Sequence, residues 1–314
     1  MTASLRVVFF GTPDFAVPSL GALVDGGFRV PLVVTQPDRP VGRHAEPRPS
    51  AVGARAAARG LPIEKPLTVR GNAPLFAALE AAQPDAIAVV AFGRILPVEI
   101  LRLPRFGCVN VHASLLPRHR GASPVQAAIL SGDTETGVDT MRMEEGLDTG
   151  PVYLERRVRI GERETAGELS SRLASIGGEL LVETLRGLAA GPFSARPQEG
   201  EASFSRPIRR EDGAADWTRS AAELSRRLRA YTPWPGLYTF LGSERIKVLE
   251  ALPYAGGIAG EPGVLRLEGG VLVVSAGAGT LLQLDRLQRA GKKPVTGAEF
   301  ARSIAFPARF ESPR

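Results

Sequence analysis

The run Cys108-Val109-Asn110-Val111-His112-Ala113-Ser114-Leu115-Leu116-Pro117 decides how the first part of this 314-residue chain is read. Its first five residues form an apolar strand of the kind buried in a parallel sheet, interrupted by one amide and ended by one imidazole. Strand side chains alternate, so Asn110 and His112 project from one face, at the strand's carboxyl end. Three similar runs precede it, at residues 5–10, 30–35 and 86–91, with helix-like stretches at 49–59, 72–82 and 95–101 between them. Strands alternating with helices predict an α/β fold with an open, doubly wound, mostly parallel, Rossmann-like sheet. Such a sheet keeps its ligand crevice outside the carboxyl ends of its strands. Asn110 and His112 fall there.

Further along, Thr165 and Glu168 form a capping pair for a helix running to about residue 189. Residues 191–206, rich in Pro, Gly, Ser and Glu, read as a linker. Beyond it, Ser220 and Glu223 cap a helix to residue 229, and Thr296 and Glu299 cap a last one. Five short strand patterns lie between, at 237–241, 246–251, 263–267, 271–275 and 281–287. Five strands with glycine-rich turns predict a small OB-like β-barrel. The expected division is a first domain over 1–190, a linker over 191–206 and a second domain over 207–314.

Composition agrees with two globular domains, at 44% hydrophobic and 23% charged residues. No run approaches the roughly 18 apolar residues of a membrane span, and the first residues lack the pattern of a secretory signal. Cys108 is the only cysteine, which excludes an internal disulfide and a cysteine-based zinc cluster and points to the cytosol. The three histidines, 44, 112 and 119, offer no metal-ligand spacing. Charge is segregated. Residues 1–130 carry 14 Lys and Arg against 8 Asp and Glu, and 206–314 carry 17 against 11, while 131–205 carry 8 against 14. Two basic regions flank an acidic one, a distribution that suits a nucleic-acid partner as well as plain solvation.

Three further segments are candidates for chemistry. In Met143-Glu-Glu-Gly-Leu-Asp148-Thr-Gly150, glycines bracket Asp148, so the turn either presents a carboxylate or satisfies its own backbone. Gly11-Thr-Pro-Asp-Phe15 follows the first strand but is no dinucleotide fingerprint, and Pro13 removes a backbone donor that a phosphate cradle would use. Residues 36–59 hold arginines 39, 43, 48, 55 and 59 against Asp38 and Glu46, as a loop meeting RNA phosphates would. The alternative for Asn110 and His112 is a satisfied polar pair in the core; for the arginines it is a solvated loop.

At Asn-x-His-x-Ser-Leu-Leu-Pro and Glu145-Gly-Leu-Asp-Thr-Gly150 the sequence resembles the folate-dependent formyltransferases, and the likeness covers nearly the whole chain. It extends to Phe9-Phe-Gly-Thr-Pro-Asp-Phe-Ala16, the run from Thr35 to Arg43, Asp216-Trp217, the run from Pro233 to Tyr238, and Gly291-Lys-Lys293. The N-terminal motifs are shared with relatives that formylate glycinamide ribonucleotide or amino sugars. The C-terminal set, with its basic OB-like domain, narrows the resemblance to the branch whose acceptor is methionine carried on initiator tRNA. That resemblance implies 10-formyltetrahydrofolate as donor, no metal, a monomer and a cytoplasmic location. It implies catalytic roles for Asn110, His112 and Asp148, a tetrahydrofolate site at Ser114, Leu115, Leu116 and Pro117, and contact between Arg43 and the tRNA acceptor end. His44-Ala45-Glu46 stands where the family often has a lysine pair, and His119 where it usually has an aromatic residue.

The residue types suit formyl transfer. An amine attacking a formyl carbon creates an oxyanion that the Asn110 amide and a His112 ring N–H could bind. A neighbouring carboxylate could orient His112 and move protons between the incoming and departing nitrogens.

Overall fold

The computed structural model describes residues 4–41 and 46–312 and divides the chain into two compact units. One comprises Met1–Pro124, Glu135–Arg159 and Ser170–Arg206; the other comprises Val125–Thr134, Ile160–Leu169 and Pro207–Arg314.

In the first unit, seven strands form one sheet: β1 (Val7–Gly11), β2 (Val33–Val34), β3 (Ile63–Glu64), β4 (Ala86–Val90), β5 (Cys108–His112), β6 (Glu135–Arg142) and β7 (Val152–Arg159). Their order is β7-β6-β5-β4-β1-β2-β3. All pairings are parallel except those of β6, which runs against both β5 and β7. The chain leaves β1 toward one edge and returns to β4 on its other side, so the order reverses between β1 and β4. A reversal of this kind opens a crevice between diverging loops. The central strands are apolar because both faces are covered: Val7 to Phe10 and Ala86 to Ala88 are fully buried.

Helices α1 (Val17–Asp25), α2 (Ala51–Ala58) and α3 (Ala73–Ala82) connect the early strands. Asn72 caps α3 by accepting the Leu75 N–H at 3.0 Å. The helix expected over 95–101 contracts to the single turn Val98–Leu101, because Pro97 is held extended and disfavours helix in the residue before it. The strand expected over 30–35 keeps only Val33–Val34. Strands β6 and β7 escape sequence reading because the buried stretch of β6 includes Thr136, Asp139 and Thr140. Each is polar yet enclosed; the Thr140 and Thr184 hydroxyls, for example, bond to each other at 2.6 Å. Thr184 belongs to the long helix Ala166–Ala190, which begins at the expected capping box, with Thr165 N–H 2.9 Å from Glu168 Oε2. Gly177 allows this helix to lie against β5, since a Cβ there would fall 2.7 Å from Val111 Cγ1.

In the second unit the five expected strands are present as β8 (Leu237–Leu241), β9 (Glu244–Tyr254), β10 (Val264–Glu268), β11 (Val271–Ala276) and β12 (Thr280–Arg289). They form a curled antiparallel sheet in the order β8-β9-β12-β11-β10, continued by β13 (Ala308–Arg309). Just past β13, Glu311 and Phe240 of β8 exchange backbone hydrogen bonds of 2.9 and 3.3 Å, which close the curl into an OB-like barrel. Trp217 fills the interior, stacked on Phe310 at 5.5 Å, and donates its indole N–H to Thr239 at 3.0 Å. The capping boxes expected at Ser220/Glu223 and Thr296/Glu299 both form. Among the described residues, no helix is long and apolar enough to cross a membrane.

Candidate active site

The carboxyl ends of β1, β2 and β4 are tied together first. Thr12 Oγ1 and Gln36 Nε2 donate to the Phe92 carbonyl at 3.3 and 2.8 Å, and Gln36 N–H reaches Thr12 Oγ1 at 3.4 Å. Gly11–Phe15 therefore serves as part of the crevice wall. In the loop after β4, Ile95 stands 89% exposed, an apolar side chain that the sequence pattern had placed in a helix. Glycine and proline on both sides of Arg94-Ile95-Leu96 were the available signal.

On β5, register does what the sequence pattern requires. Val111 turns toward the long helix, while Asn110 and His112 share the opposite face, across from Met141 and Asp139 of β6. Asn110 is half-buried, and no hydrogen bond occupies its side-chain amide among the described residues. His112 is buried. Its Nε2 lies 3.2 Å from the His119 carbonyl, which can only accept, so Nε2 carries a hydrogen in every charge state. The ring N–H that sequence reasoning offered to an oxyanion is thus committed to the backbone. The other nitrogen, Nδ1, lies 3.7 Å from Asp148 Oδ2, beyond direct hydrogen-bond range. Burial pulls the imidazole below the ordinary histidine range, against the Asp148 carboxylate and the His119 carbonyl, which pull it up. In the neutral form Nδ1 is then a lone pair facing a carboxylate.

Asp148 does not spend its carboxylate on its own turn. Oδ2 accepts the Gly121 N–H at 2.7 Å, and the residue sits at φ +53°, in the left-handed region. His119 contributes its carbonyl rather than its ring; its backbone N–H donates to Ser203 Oγ at 2.8 Å.

The segment expected to line a folate site is packed down onto the sheet. Ser114 donates its hydroxyl to the Arg118 carbonyl at 2.6 Å and is fully buried. Leu116 packs with Met141 and Val152, Pro117 is buried, and Leu115 is half-buried. The Leu116 N–H donates to Asp139 Oδ2 at 2.7 Å. Asp139 is wholly enclosed, and burial pushes its carboxyl up to about 8; its second oxygen has no hydrogen-bond partner among the described residues. Nothing in the sequence pattern singled it out.

Arg43 lies outside the described residues; the flanking residues Arg39–Val41 and Glu46–Arg48 pair as a short antiparallel hairpin. No group of three His, Cys, Asp or Glu side chains that could hold a metal occurs among the described residues.

The stretch read as a linker has a second part to play. Arg196 exchanges backbone hydrogen bonds of 2.8 Å with Val152. Residues Phe204–Ser205 run parallel to Arg120–Gly121, and Gln198 reaches both Arg120 and the Asp148 turn.

The switch-point crevice bears an amide, an imidazole and a carboxylate, and the chain belongs to the formyl transferase family. The formyl transferase family model matches residues 5–185, and the formyl transferase C-terminal domain model matches residues 207–305. Among its relatives, the methionyl-tRNA formyltransferase of Aromatoleum aromaticum is 44% identical, over 99% of both chains. That of Anaeromyxobacter dehalogenans is 46% identical over 96% of this chain and 97% of its own. A solved N-formyltransferase from Helicobacter canadensis, in complex with folinic acid and dTDP-3-aminofucose, shares the fold. It has a TM-score of 0.66 at 18% identity, over 91% of this chain and 99% of that one.

Proposed function

We propose that this chain transfers the formyl group of 10-formyltetrahydrofolate to the amino group of initiator methionyl-tRNA, giving N-formylmethionyl-tRNA, as a cytoplasmic monomer. The observation that carries the mechanism is His112 Nδ1 facing the Asp148 carboxylate, on the strand face shared with an Asn110 amide that none of the described residues holds. The amino nitrogen attacks the formyl carbon, and the Asn110 N–H binds the oxygen as it becomes an oxyanion. His112 Nδ1 takes the proton that the amine sheds. The imidazolium so formed then has a partner on each side, the His119 carbonyl and Asp148. Collapse of the intermediate breaks the bond from carbon to the folate N10, and the proton passes from His112 to that nitrogen. The amine has lost one hydrogen and gained the formyl group; the folate has done the reverse.

Asn110, His112 and Asp148 are thus assigned as catalytic. Tetrahydrofolate is assigned to the loop Ser114, Leu115, Leu116 and Pro117. The domain division is 1–190 for catalysis and 207–314 for tRNA, with 191–206 between them. Arg43 meets the acceptor end. A basic second domain, with 17 Lys and Arg against 11 Asp and Glu over 206–314, favours tRNA over a nucleotide sugar or glycinamide ribonucleotide as acceptor. Incubation with 10-formyltetrahydrofolate and each acceptor in turn is the test. Formylmethionine released from charged initiator tRNA is the expected product. Formylation of an amino-sugar nucleotide or glycinamide ribonucleotide, with none on tRNA, would reverse the assignment.

A further inference from the structure

We propose that Gln198 is a positioning residue of this active site, whose side-chain amide locks the Asp148 turn to the Arg120 segment and so fixes both relative to His112. The proposal rests on the catalytic reading of Asp148 and His112 given above.

Every hydrogen-bonding position of this amide is used. Nε2 donates to the carbonyls of Asp148 and Gly150, both at 2.8 Å. Oε1 accepts from Arg120 Nη2 at 2.6 Å and from Nε at 3.1 Å. An amide has two donor hydrogens and an oxygen that accepts two bonds, so the site is saturated. The contacts also close a ring. Arg120 adjoins Gly121, Gly121 N–H holds the Asp148 carboxylate at 2.7 Å, and Gln198 grips the residues on either side of that bond. Asp148 occupies a left-handed conformation, φ +53°, which a residue with a side chain keeps only when its surroundings over-determine it. Gln198 supplies that restraint on the Asp148 carbonyl.

The segment that carries Gln198 is itself anchored at both ends, so the amide is not a dangling group. Arg196 pairs with Val152 at 2.8 Å. Ser203 accepts the Arg120 N–H on its carbonyl and the His119 N–H on its hydroxyl, each at 2.8 Å. Ser205 accepts the Ala122 N–H at 3.1 Å and the Ser123 N–H at 3.0 Å. The charged and titratable groups that act on His112 are Asp148, His119 and Arg120. Asp148 favours the imidazolium and Arg120 opposes it. Gln198 therefore sets the places of two charges that tune the proposed base in opposite directions. A stretch whose composition reads as a connector completes the catalytic centre.

Two substitutions each break one half of the bridge. Gln198→Glu keeps acceptors for Arg120 but sets oxygen against the Asp148 and Gly150 carbonyls. Gln198→Lys keeps a donor for those carbonyls but repels Arg120. Both should lower kcat by about 10-fold or more, since a misplacement of about 1 Å at a reacting group costs as much as 10²-fold. KM for 10-formyltetrahydrofolate should change less than about threefold, and the acid limb of the pH–rate profile should move. Gln198→Met, close in shape and neutral, should show the same kcat loss while still unfolding in one cooperative thermal transition, its midpoint lowered by the lost hydrogen bonds but well above the assay temperature. Either charged variant, or the Met variant, within twofold of wild-type kcat with an unmoved acid limb overturns the proposal. Asp148→Asn is run in parallel. If Asp148→Asn is also near wild type, the catalytic reading itself has failed; if only the Gln198 variants are, the fault lies with the bridge.

Discussion

Asp148→Asn isolates the electrostatic part of the site. The amide keeps the volume and can still accept the Gly121 N–H, so the turn should survive. What disappears is the negative charge 3.7 Å from His112 Nδ1. Two unit charges that far apart interact by about 4 kcal/mol at an effective dielectric constant of about 20, suited to partly buried protein sites. Lost from the imidazolium formed during transfer, that amounts to roughly 10³-fold in kcat. The sign of the pH effect follows as well. Burial already lowers the His112 ionisation and Asp148 opposes it, so removing the carboxylate lowers it further. The base then stays neutral to lower pH, and the acid limb of the rate profile shifts downward. The assay is formylmethionine production at saturating 10-formyltetrahydrofolate and charged tRNA, across pH 5 to 9. A variant keeping more than about a tenth of wild-type kcat, with its acid limb in place, would refute the proton-transfer argument.

Asn110→Ala should reduce kcat by about 10²–10³-fold with little change in folate affinity, read by kinetics alongside equilibrium binding. Asp139 is protonated up to about pH 8 in the folded chain but ionises near pH 4 when unfolded, so stability falls as pH rises through that window. Asp139→Asn should flatten this dependence between pH 5 and 8; a constant difference in Tm between variant and wild type would contradict the buried-acid account. Gly150→Ala would set a Cβ 1.8 Å from the Arg142 carbonyl oxygen, so it should displace the Asp148 turn and depress kcat, and a normal kcat with normal Tm would contradict this geometry. Arg43→Ala should weaken use of charged tRNA and blunt its salt dependence while leaving folate binding intact; equal kcat/KM for both proteins at two salt concentrations would return Arg43 to a solubilising role.

Apolar patterning was enough for β4 and β5, which are covered on both faces, and for all five strands of the barrel, while the capping pairs marked three of the helices. The same logic failed at β6, whose Thr136, Asp139 and Thr140 are enclosed by contacts from residues distant in sequence. Asn110 and His112 were legible as a pair, since two-residue alternation on a strand puts them on one face whatever surrounds it. Asp148 was legible as a carboxylate in a glycine-bracketed turn, but not its use. Only the folded chain brings Gly121 to its oxygen and leaves His112 Nδ1 opposite it. The tautomer of His112 was likewise beyond the sequence, because it depends on where the His119 carbonyl comes to rest. The widest gap lies at residues 196–205. Composition there reports solubility and flexibility, whereas hydrogen bonds across the fold make Gln198, Ser203 and Ser205 part of the site. Local sequence determines which face a side chain takes; which distant backbone groups meet it is settled only when the chain closes.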